Sequence, residues 1–436
     1  MTALHDTQPN RRDLLGLGAG ALALGSCTAA GASVAAPLTD DRRGELDELF
    51  ADLRDQRQRV EPISNEERAA RRQRLAKLLA ERDLDALLVE PGSTMEYLAG
   101  VHWRRSERLF GLVVLADGSW FWICPAFEEP KARLQVDAEG GPGGDLHTWD
   151  EHEYAFRPLA AALAGAEARR VAVDPMGRAF VLDELRRARG DAPTVSGAAV
   201  VKELRGRKDA HEIAIMRVAN ELTQRAIAAT AERLEPGMTG RAIGEMVTHA
   251  QARMGFENLW VLPLIGPAAA YPHGEHDSIP VADGDVVLVD TGGSFHGYES
   301  DITRTWVQGG VPTAEVEHVW NVVREAQARA FDAMKPGVRA GDVDAVARRV
   351  IEDAGYGKGY ELFSHRLGHG IGMEGHEEPY LDGGNDLALA PGMTFSDEPG
   401  IYLYGRFGVR IEDIVVVTED GADHFGDWQP SAAAPA

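Results

Sequence analysis

Short apolar runs separated by polar turns mark the first half of the chain. They lie at residues 85–89, 111–115, 120–123 and 171–173. Runs of this length that alternate with helical periodicity are typical of an α/β domain. Ser64 and Glu67 form an S-x-x-E capping box, which predicts a helix to about residue 82. We therefore predict an α/β domain over residues 64–205.

A different pattern begins at Asp209, where apolar residues recur at helical spacing. We expect a long amphipathic helix to about Leu234. Its apolar face contains Ile213, Met216, Ala219, Ile227 and Leu234. This helix opens a second domain, which we place over residues 206–425.

An internal repeat follows the helix. Segment 234–256 begins LEPGM and ends in Gly-Phe, and segment 334–356, offset by 100 residues, begins MKPGV and ends in Gly-Tyr. The apolar positions between these ends also match: Ile243, Met246 and Ala250 correspond to Val343, Val346 and Val350. We interpret the repeat as two related halves about a pseudo-two-fold axis. The cleft between such halves is a natural location for a pair of metal ions.

The first 37 residues have the features of an export signal. Residues 10–15 read NRRDLL, a twin-arginine pattern, and an apolar run rich in small residues follows over 14–30. That run is too short for a comfortable membrane span. The sequence is compatible with cleavage after Ala36 and with a lipoprotein box that would acylate Cys27; the alternative is a disordered N-terminus. We expect an exported protein, either periplasmic or lipid-anchored at the cell envelope.

Two further segments lie outside both domains. Residues 38–63 are rich in charged side chains and are predicted to form a linker or a helix. Residues 426–436 are predicted to form a disordered tail.

The chain as a whole is acidic, with 45 basic and 69 acidic residues and a net charge of −24. Binding to nucleic acid needs clustered basic surface, so we expect no nucleic-acid partner. The cysteines are Cys27 and Cys124, and cleavage or acylation of the first leaves no disulfide in the mature chain. Cys124 follows an apolar run and is predicted to be a buried strand residue.

Two aspartates stand at places where they can share a cation. Asp290 ends the apolar strand DVVLVD and precedes Thr-Gly-Gly, which is read as a tight turn, and Asp301 begins a second strand eleven residues later. An antiparallel hairpin would bring the two carboxylates face to face, where they repel each other unless a cation lies between them. The alternative is a pair of unrelated surface aspartates.

A glycine-rich run, HRLGHGIG over 365–372, adds an imidazole. His365 and His369 have the i, i+4 spacing of a helical zinc pair, but the glycines argue against a helix. We therefore expect one histidine to be a ligand in a strand or turn and the other to be its neighbour.

Two glutamates complete the set. Glu398, in SDEPGIY, and Glu412, in GVRIED, are each predicted on a strand next to a turn. Together with the two aspartates and one histidine they form a hard, oxygen-rich ligand set. Such a set suits two divalent ions, Mn²⁺ or Co²⁺ with Zn²⁺ also feasible, and excludes metals that prefer thiolates.

These motifs resemble those of the pita-bread metallopeptidases, which include methionine aminopeptidase, aminopeptidase P and prolidase. The five ligand positions occur in the family's order, and the resemblance covers essentially the whole chain after the signal. The extra N-terminal domain and the HEEP run at 376–379 favour the proline-directed branch. The resemblance implies an α/β (α+β) fold with a creatinase-like N-terminal domain and a pseudo-two-fold pita-bread catalytic domain.

The resemblance also implies a role for each ligand. Asp290 would bind one metal ion, His369 and Glu398 the other, and Asp301 and Glu412 would bridge both. A water between the two cations becomes the nucleophile, because its pKa falls towards neutrality. Glu398 is expected to accept its proton.

Four further residues match pocket positions of the family. His273 and His376 match two histidines that would donate to the tetrahedral oxyanion. His365 matches an active-site histidine of the proline-directed branch, and Arg410 a pocket arginine. The alternative for each is a structural histidine or a salt-bridged arginine.

The implied activity is hydrolysis of Xaa-Pro bonds in peptides with proline at the second position, by an aminopeptidase or a dipeptidase. A metal-dependent lyase or amidohydrolase acting on a small osmolyte-like substrate is the alternative, and a non-enzymatic binding member is the third. Relatives often pair, so a homodimer is expected. Four aromatic residues of the first domain either pack in its core or between the domains, or instead form a dimer face: Trp103, Phe110, Trp120 and Trp122.

Overall fold

The computed structural model describes residues 38–274 and 279–436. The predicted export signal, with Cys27, lies outside the described residues. The elements of the N-terminal part are, in chain order, α1 (Asp40–Leu49), α2 (Asn65–Glu81), β1 (Ala86–Val89), α3 (Ser93–Ala99), β2 (Gly111–Leu115), β3 (Trp120–Pro125), α4 (Glu129–Val136), β4 (Asp145–Trp149), α5 (Phe156–Gly165), β5 (Val171–Val173), α6 (Ala179–Arg189), β6 (Thr194–Ser196) and α7 (Ala198–Arg205).

The six strands of this part form one mixed sheet in the order β4-β3-β2-β1-β5-β6. β1 pairs antiparallel with β2 and parallel with β5. Apolar side chains pack on both faces of the sheet, which explains the nearly uninterrupted apolar runs of its strands. The predicted α/β architecture is confirmed, and Ser64 and Glu67 form the predicted capping box at the start of α2.

The aromatic residues of this domain pack in its core. Trp103 stacks on Phe110 with ring centroids 4.1 Å apart, and Trp122 is fully buried. Trp120 borders the core, and the indole N–H groups of Trp120 and Trp122 both donate to the carbonyl of Gly143. The core interpretation of these residues is confirmed, as is the burial of Cys124 in β3.

The second domain begins after a short connection. Its elements are α8 (Ala210–Ala231), α9 (Gly240–Arg253), β7 (Glu257–Ile265), β8 (Val286–Phe295), β9 (Tyr298–Val307), α10 (Ala314–Ala333), α11 (Ala340–Asp353), β10 (Gly368–Gly370), β11 (Glu377–Leu381), β12 (Thr394–Asp397), β13 (Gly400–Leu403), β14 (Phe407–Arg410), β15 (Asp413–Val417) and β16 (Ala422–His424). Its strands form a β7-β8-β9 sheet, a β11-β10-β12-β15-β16 sheet and a β13-β14 hairpin.

The internal repeat is visible as two matching helices. α9 and α11 each span 14 residues and begin 100 positions apart. The turns before them contain Gly237 and Gly337, with φ of +93° and +87°, a region that favours glycine. α8 and α9 share a core with β7, β8 and β9, whereas α10 and α11 pack on the later strands. The contacts of β9 with β15 and of β8 with β14 join the two halves.

The charged segment 38–63 packs on the second domain. It contains α1, and Leu46 of this helix is buried against α8 and α9. Phe50 and Leu53, which follow the helix, are buried there as well. The segment therefore contributes to the core of the C-terminal domain rather than acting only as a linker.

The chain end differs from the predicted disordered tail over 426–436. Gln429 is 2 % exposed, and its side-chain amide bonds the backbone N–H and carbonyl of Thr305 in β9. The carbonyl of Ala432 accepts from the N–H of Val307 at 2.8 Å. The segment supplies hydrogen-bond partners to backbone groups at the edge of β9, although its small residues resemble those of a disordered tail.

Candidate metal centre

Asp290 and Asp301 lie on the predicted hairpin, but inside its strands rather than at their ends. β8 continues past Asp290 to Phe295, and the turn falls at residues 296–297. Asp290 pairs with Thr303 and Gly292 pairs with Asp301, so both carboxylates lie on one face two positions apart. A Cβ at Gly292 would lie 1.9 Å from the Ser300 carbonyl oxygen, so the glycine serves close strand packing rather than a turn.

His369 lies on β10, as predicted for a strand rather than a helix, and is 3 % exposed. Its Nδ1 lies 3.1 Å from the Gly370 carbonyl oxygen. An Nδ1–H that donates to this carbonyl leaves the lone pair of Nε2 free for a metal. The backbone N–H of His369 donates to Ser396 Oγ at 2.9 Å, which fixes the strand against β12.

The two glutamates lie at corners between strands. Glu398 directly follows β12, and Glu412 lies between β14 and β15, whereas the sequence placed both on strands. Hydroxyl groups orient their carboxylates: Ser396 donates to Glu398 at 3.0 Å and Thr303 to Glu412 at 2.7 Å. Because they lie at corners, the two side chains can point into the space between the two halves. Within a strand, their direction would be fixed by the alternation of its two faces.

The structure brings all five side chains together. Asp290, Asp301 and Glu412 form one group whose ligand atoms lie within 4.8 Å of one another, and His369, Glu398 and Glu412 form another. Glu412 belongs to both groups. His369 Nε2 lies 3.5 Å from oxygens of both Asp301 and Glu398, which places the two groups side by side.

The acids of this cluster strongly favour a bound cation. Burial, and then the nearby Asp290, raise the pKa of Asp301 well above its ordinary value. Burial, followed by Asp301 and Glu398, does the same to the pKa of Glu412, and burial raises the pKa of Glu398 to about 7. Among the described residues, Asp290 Oδ1 is buried and has no hydrogen-bond partner. Because a buried carboxylate oxygen needs a partner, the donor set fits divalent metal ions.

Arg410 and His365 both contact Tyr402, which is not among the predicted site residues. Arg410 Nη2 donates to Asp290 at 2.6 Å, so the arginine is salt-bridged within the site. The Tyr402 hydroxyl lies 2.7 Å from His365 Nε2 and accepts from Arg410 Nη1 at 3.0 Å. The motif SDEPGIY ends on this tyrosine, which was the available signal. Thr303, which bonds both Arg410 and Glu412, had none.

The remaining two predicted histidines lie at the mouth of the cluster. The His376 ring stacks on that of His369 with centroids 3.8 Å apart. Burial, and then His369, lower the pKa of His376 to about 3, so its imidazole is neutral at pH 7. His273 is exposed on the turn 271–274, where the neighbouring Pro272 carbonyl accepts from Arg410 at 3.2 Å.

We expect Gly368→Ala to disturb His369, the candidate metal ligand beside it. A Cβ there would lie 1.9 Å from the Ser396 carbonyl oxygen, so β10 must move away from β12. Overpacking of this kind costs about 1–3 kcal/mol. Calorimetric titration with Mn²⁺ should show weaker binding, and urea unfolding a lower midpoint. Gly375→Ala is the control, because its Cβ would meet no atom within 4 Å. Equal metal binding by the two variants would contradict the expectation.

Comparison with known proteins agrees with this geometry. Residues 214–419 match the model of Metallopeptidase family M24, and residues 71–206 match that of the Creatinase/Prolidase N-terminal domain. A Xaa-Pro dipeptidase of Lactobacillus delbrueckii subsp. lactis is 35% identical over 81% of this chain and 95% of its own length. The chain belongs to metallopeptidase family M24.

Solved structures of M24 proteins share the fold. Dipeptidase PepE from Mycobacterium ulcerans is 36% identical, with a TM-score of 0.78 over 86% of this chain and 99% of that one. A prolidase from Thermococcus sibiricus is 31% identical, with a TM-score of 0.73 over 82% of this chain and 96% of that one. The creatinase-like domain, the pita-bread domain and membership of the proline-directed branch are thereby confirmed.

As a member of family M24, the protein is a metal-dependent peptidase. Within residues 38–274 and 279–436, none of the helices combines the length and apolar character needed to cross a bilayer.

Proposed function

We propose that this M24 protein is a dinuclear Xaa-Pro dipeptidase. The observation that supports the proposal is the pair of ligand groups that share Glu412. The names of the relatives, Xaa-Pro dipeptidase and prolidase, supply the substrate class. We take Mn²⁺ as the most suitable ion for this oxygen-rich set, with Co²⁺ or Zn²⁺ feasible.

Asp290 and Asp301 with Glu412 would hold one ion, and His369 and Glu398 with Glu412 the other. Two divalent cations at this place would lower the pKa of a water between them and so supply a hydroxide nucleophile at neutral pH.

Glu398 is placed to take a proton at the edge of the cluster. Its Oε1 accepts from Ser396, and burial raises its pKa to about 7, which suits a group that receives and releases a proton near neutrality. Asp301 and Glu412 are more deeply buried than Glu398, and Glu412 is the residue that the two ligand groups share.

The pocket residues would bind and polarise the peptide. A neutral His376 is able to donate an N–H to the scissile carbonyl oxygen, and His273 on the opposite turn offers a second donor. Arg410, held by Tyr402 and Asp290, keeps a positive charge beside the cluster. His365 orients the hydroxyl of Tyr402. A proline nitrogen has no N–H, so a pocket without an acceptor there can select it.

We expect the purified protein to release proline from Xaa-Pro dipeptides faster than it cleaves Xaa-Pro-Yaa tripeptides. Chelation should abolish turnover, and Mn²⁺ should restore it, because the proposed nucleophile depends on the two cations that lower the pKa of the water. Proline release is measured with and without EDTA. Preference for the tripeptide would indicate an aminopeptidase, and no cleavage of either peptide would favour the lyase or amidohydrolase alternative.

We further propose export by the twin-arginine route, with the mature protein in the periplasm or lipid-anchored through Cys27. Residues 10–15 and 24–27 support this proposal. Mass spectrometry of the native protein distinguishes cleavage after Ala36 from acylation of Cys27, and replacement of Arg11 and Arg12 by lysine should retain the protein in the cytoplasm. A homodimer remains a proposal from the relatives, tested by light scattering.

A further inference from the structure

Loop 371–376 connects the strand of a metal ligand to the next strand of its sheet. It follows β10, which carries His369, and ends at His376, directly before Glu377, the first residue of β11. Glu377 pairs with Gly370, the neighbour of His369. The position of Glu377 therefore determines where both ends of the loop lie.

The carboxylate of Glu377 is buried between two cations from the segment that joins the domains. Arg205, the last residue of α7, donates to one oxygen at 2.6 Å, and Lys208 donates to the other at 2.7 Å. Each of these three residues, which we call the junction cluster, is less than a tenth exposed. Burial by itself raises the pKa of Glu377, but Lys208 and Arg205 outweigh it and lower the pKa, so the carboxylate is charged.

The junction cluster extends into the N-terminal domain. Arg205 Nη1 donates to Ser93 Oγ at 2.8 Å and to Thr94 Oγ1 at 3.1 Å. The same guanidinium lies 3.6 Å from Glu374 in loop 371–376, and the Ser93 hydroxyl also bonds Glu374. One arginine thus fastens the loop and its following strand to the first domain.

The loop packs directly on the junction cluster. A Cβ at Gly372 would lie 2.5 Å from Glu377 Oε1 and 2.8 Å from Lys208 Cε, so the two side chains occupy the space beside this backbone. The Gly372 carbonyl accepts from the N–H of Glu299 in β9 at 2.8 Å. On the other side, a cavity of about 290 Å³ borders Glu374. The loop therefore has room to shift when the cluster is broken.

We propose that the junction cluster is a positioning device for the active site. It holds loop 371–376 so that His376 remains stacked on His369 and the N–H of His376 points to the scissile carbonyl. The N-terminal domain thereby contributes to turnover without touching substrate. The role of His376 rests on the proposed function, whereas the fixing of the loop does not.

Glu377→Gln tests the proposal, with Glu378→Gln as its matched control. Glu378 is the next residue, and its exposed carboxylate bonds Lys202 at 2.9 Å. Because displacement of a group by about 1 Å costs up to ~10²-fold, we expect Glu377→Gln to lower kcat per metal-loaded site by roughly 10–100-fold and to change KM by less than about threefold. Hydrogen exchange over residues 366–381 should accelerate in this variant. Glu378→Gln should match the wild type in both measurements.

A folded, metal-loaded Glu377→Gln protein with wild-type kcat and wild-type exchange would overturn the proposal. If that variant does not fold, Lys208→Met replaces it, since the bond from Arg205 to Glu377 remains; unchanged kcat and exchange would again overturn the proposal. If the wild type cleaves no Xaa-Pro peptide, the proposed function fails, and the exchange comparison still decides whether the junction cluster fixes the loop.

Discussion

Replacing Glu412 by glutamine is expected to remove both metal ions and nearly all activity. Glu412 is the member common to the two ligand groups, and Thr303 already donates to one of its oxygens. An amide keeps the shape but loses the negative charge and one anionic oxygen. Because metal activation is worth several kcal/mol, a loss of about 4 kcal/mol would lower kcat/KM by about 10³-fold.

Metal content distinguishes a shared ligand from an ordinary one. Asp290→Asn leaves the group of His369, Glu398 and Glu412 intact, so we expect that variant to keep one ion. Glu412→Gln should keep neither at the concentration that saturates the wild type. The measurements are metal analysis after gel filtration and kcat/KM on an Xaa-Pro dipeptide. Two ions bound to Glu412→Gln would show that the groups do not share this residue.

The sequence predicted the elements whose signals are local. The capping box of α2, the apolar strands of the first sheet and the 100-residue repeat all depend on residues close together in the chain, and the structure contains each of them. The five residues of the candidate metal centre were also identified from their motifs, and the structure brings them together. The family resemblance then indicated that these motifs meet in one site, which periodicity alone does not show.

The errors occur where a tertiary contact decides local structure. Gly292 and Gly293 have the composition of a turn, yet they lie inside β8, because Ser300 on β9 leaves no room for a side chain at Gly292. The chain end is rich in small residues and resembles disorder, but Gln429 fits the edge of β9. In both cases the deciding partner is distant or unmarked in the sequence.

The polar contacts around the site could not be found from the sequence for a related reason. Arg205 and Glu377 are 172 residues apart, and the chain has 45 basic and 69 acidic residues from which to choose. The contact of Tyr402 with Arg410 is nearer in the chain but depends on the hairpin of β13 and β14. Only the assembled fold identifies these partners.

The metal-free protein is expected to lose stability as the pH rises through neutrality, whereas the metal-loaded protein is not. Burial and mutual repulsion raise the pKa values of Asp301 and Glu412 well above normal, and that of Glu398 to about 7. In the unfolded chain these groups titrate near their ordinary values of about 4. Above that pH the folded state binds more protons than the unfolded state, so its stability falls as the pH rises through the raised pKa values.

Two pocket histidines act in the opposite direction at lower pH, so the comparison starts at pH 7. Burial lowers the pKa values of His365 and His376 to about 3. The folded protein therefore loses stability as the pH falls below the ordinary pKa of histidine, whereas above pH 7 these two residues leave the stability unchanged. Each carboxylate that keeps its proton in the folded state costs about 1.4 kcal/mol per pH unit. Bound cations replace these protons and remove the slope. Urea unfolding of EDTA-treated and Mn²⁺-loaded protein at pH 7.0 and 8.5 measures the difference, in which all groups outside the cluster cancel. If Mn²⁺ stabilised the protein equally at the two pH values, the acids would not carry the protons that the metal displaces. The convergence of these acids would then not be the reason that the cluster binds cations.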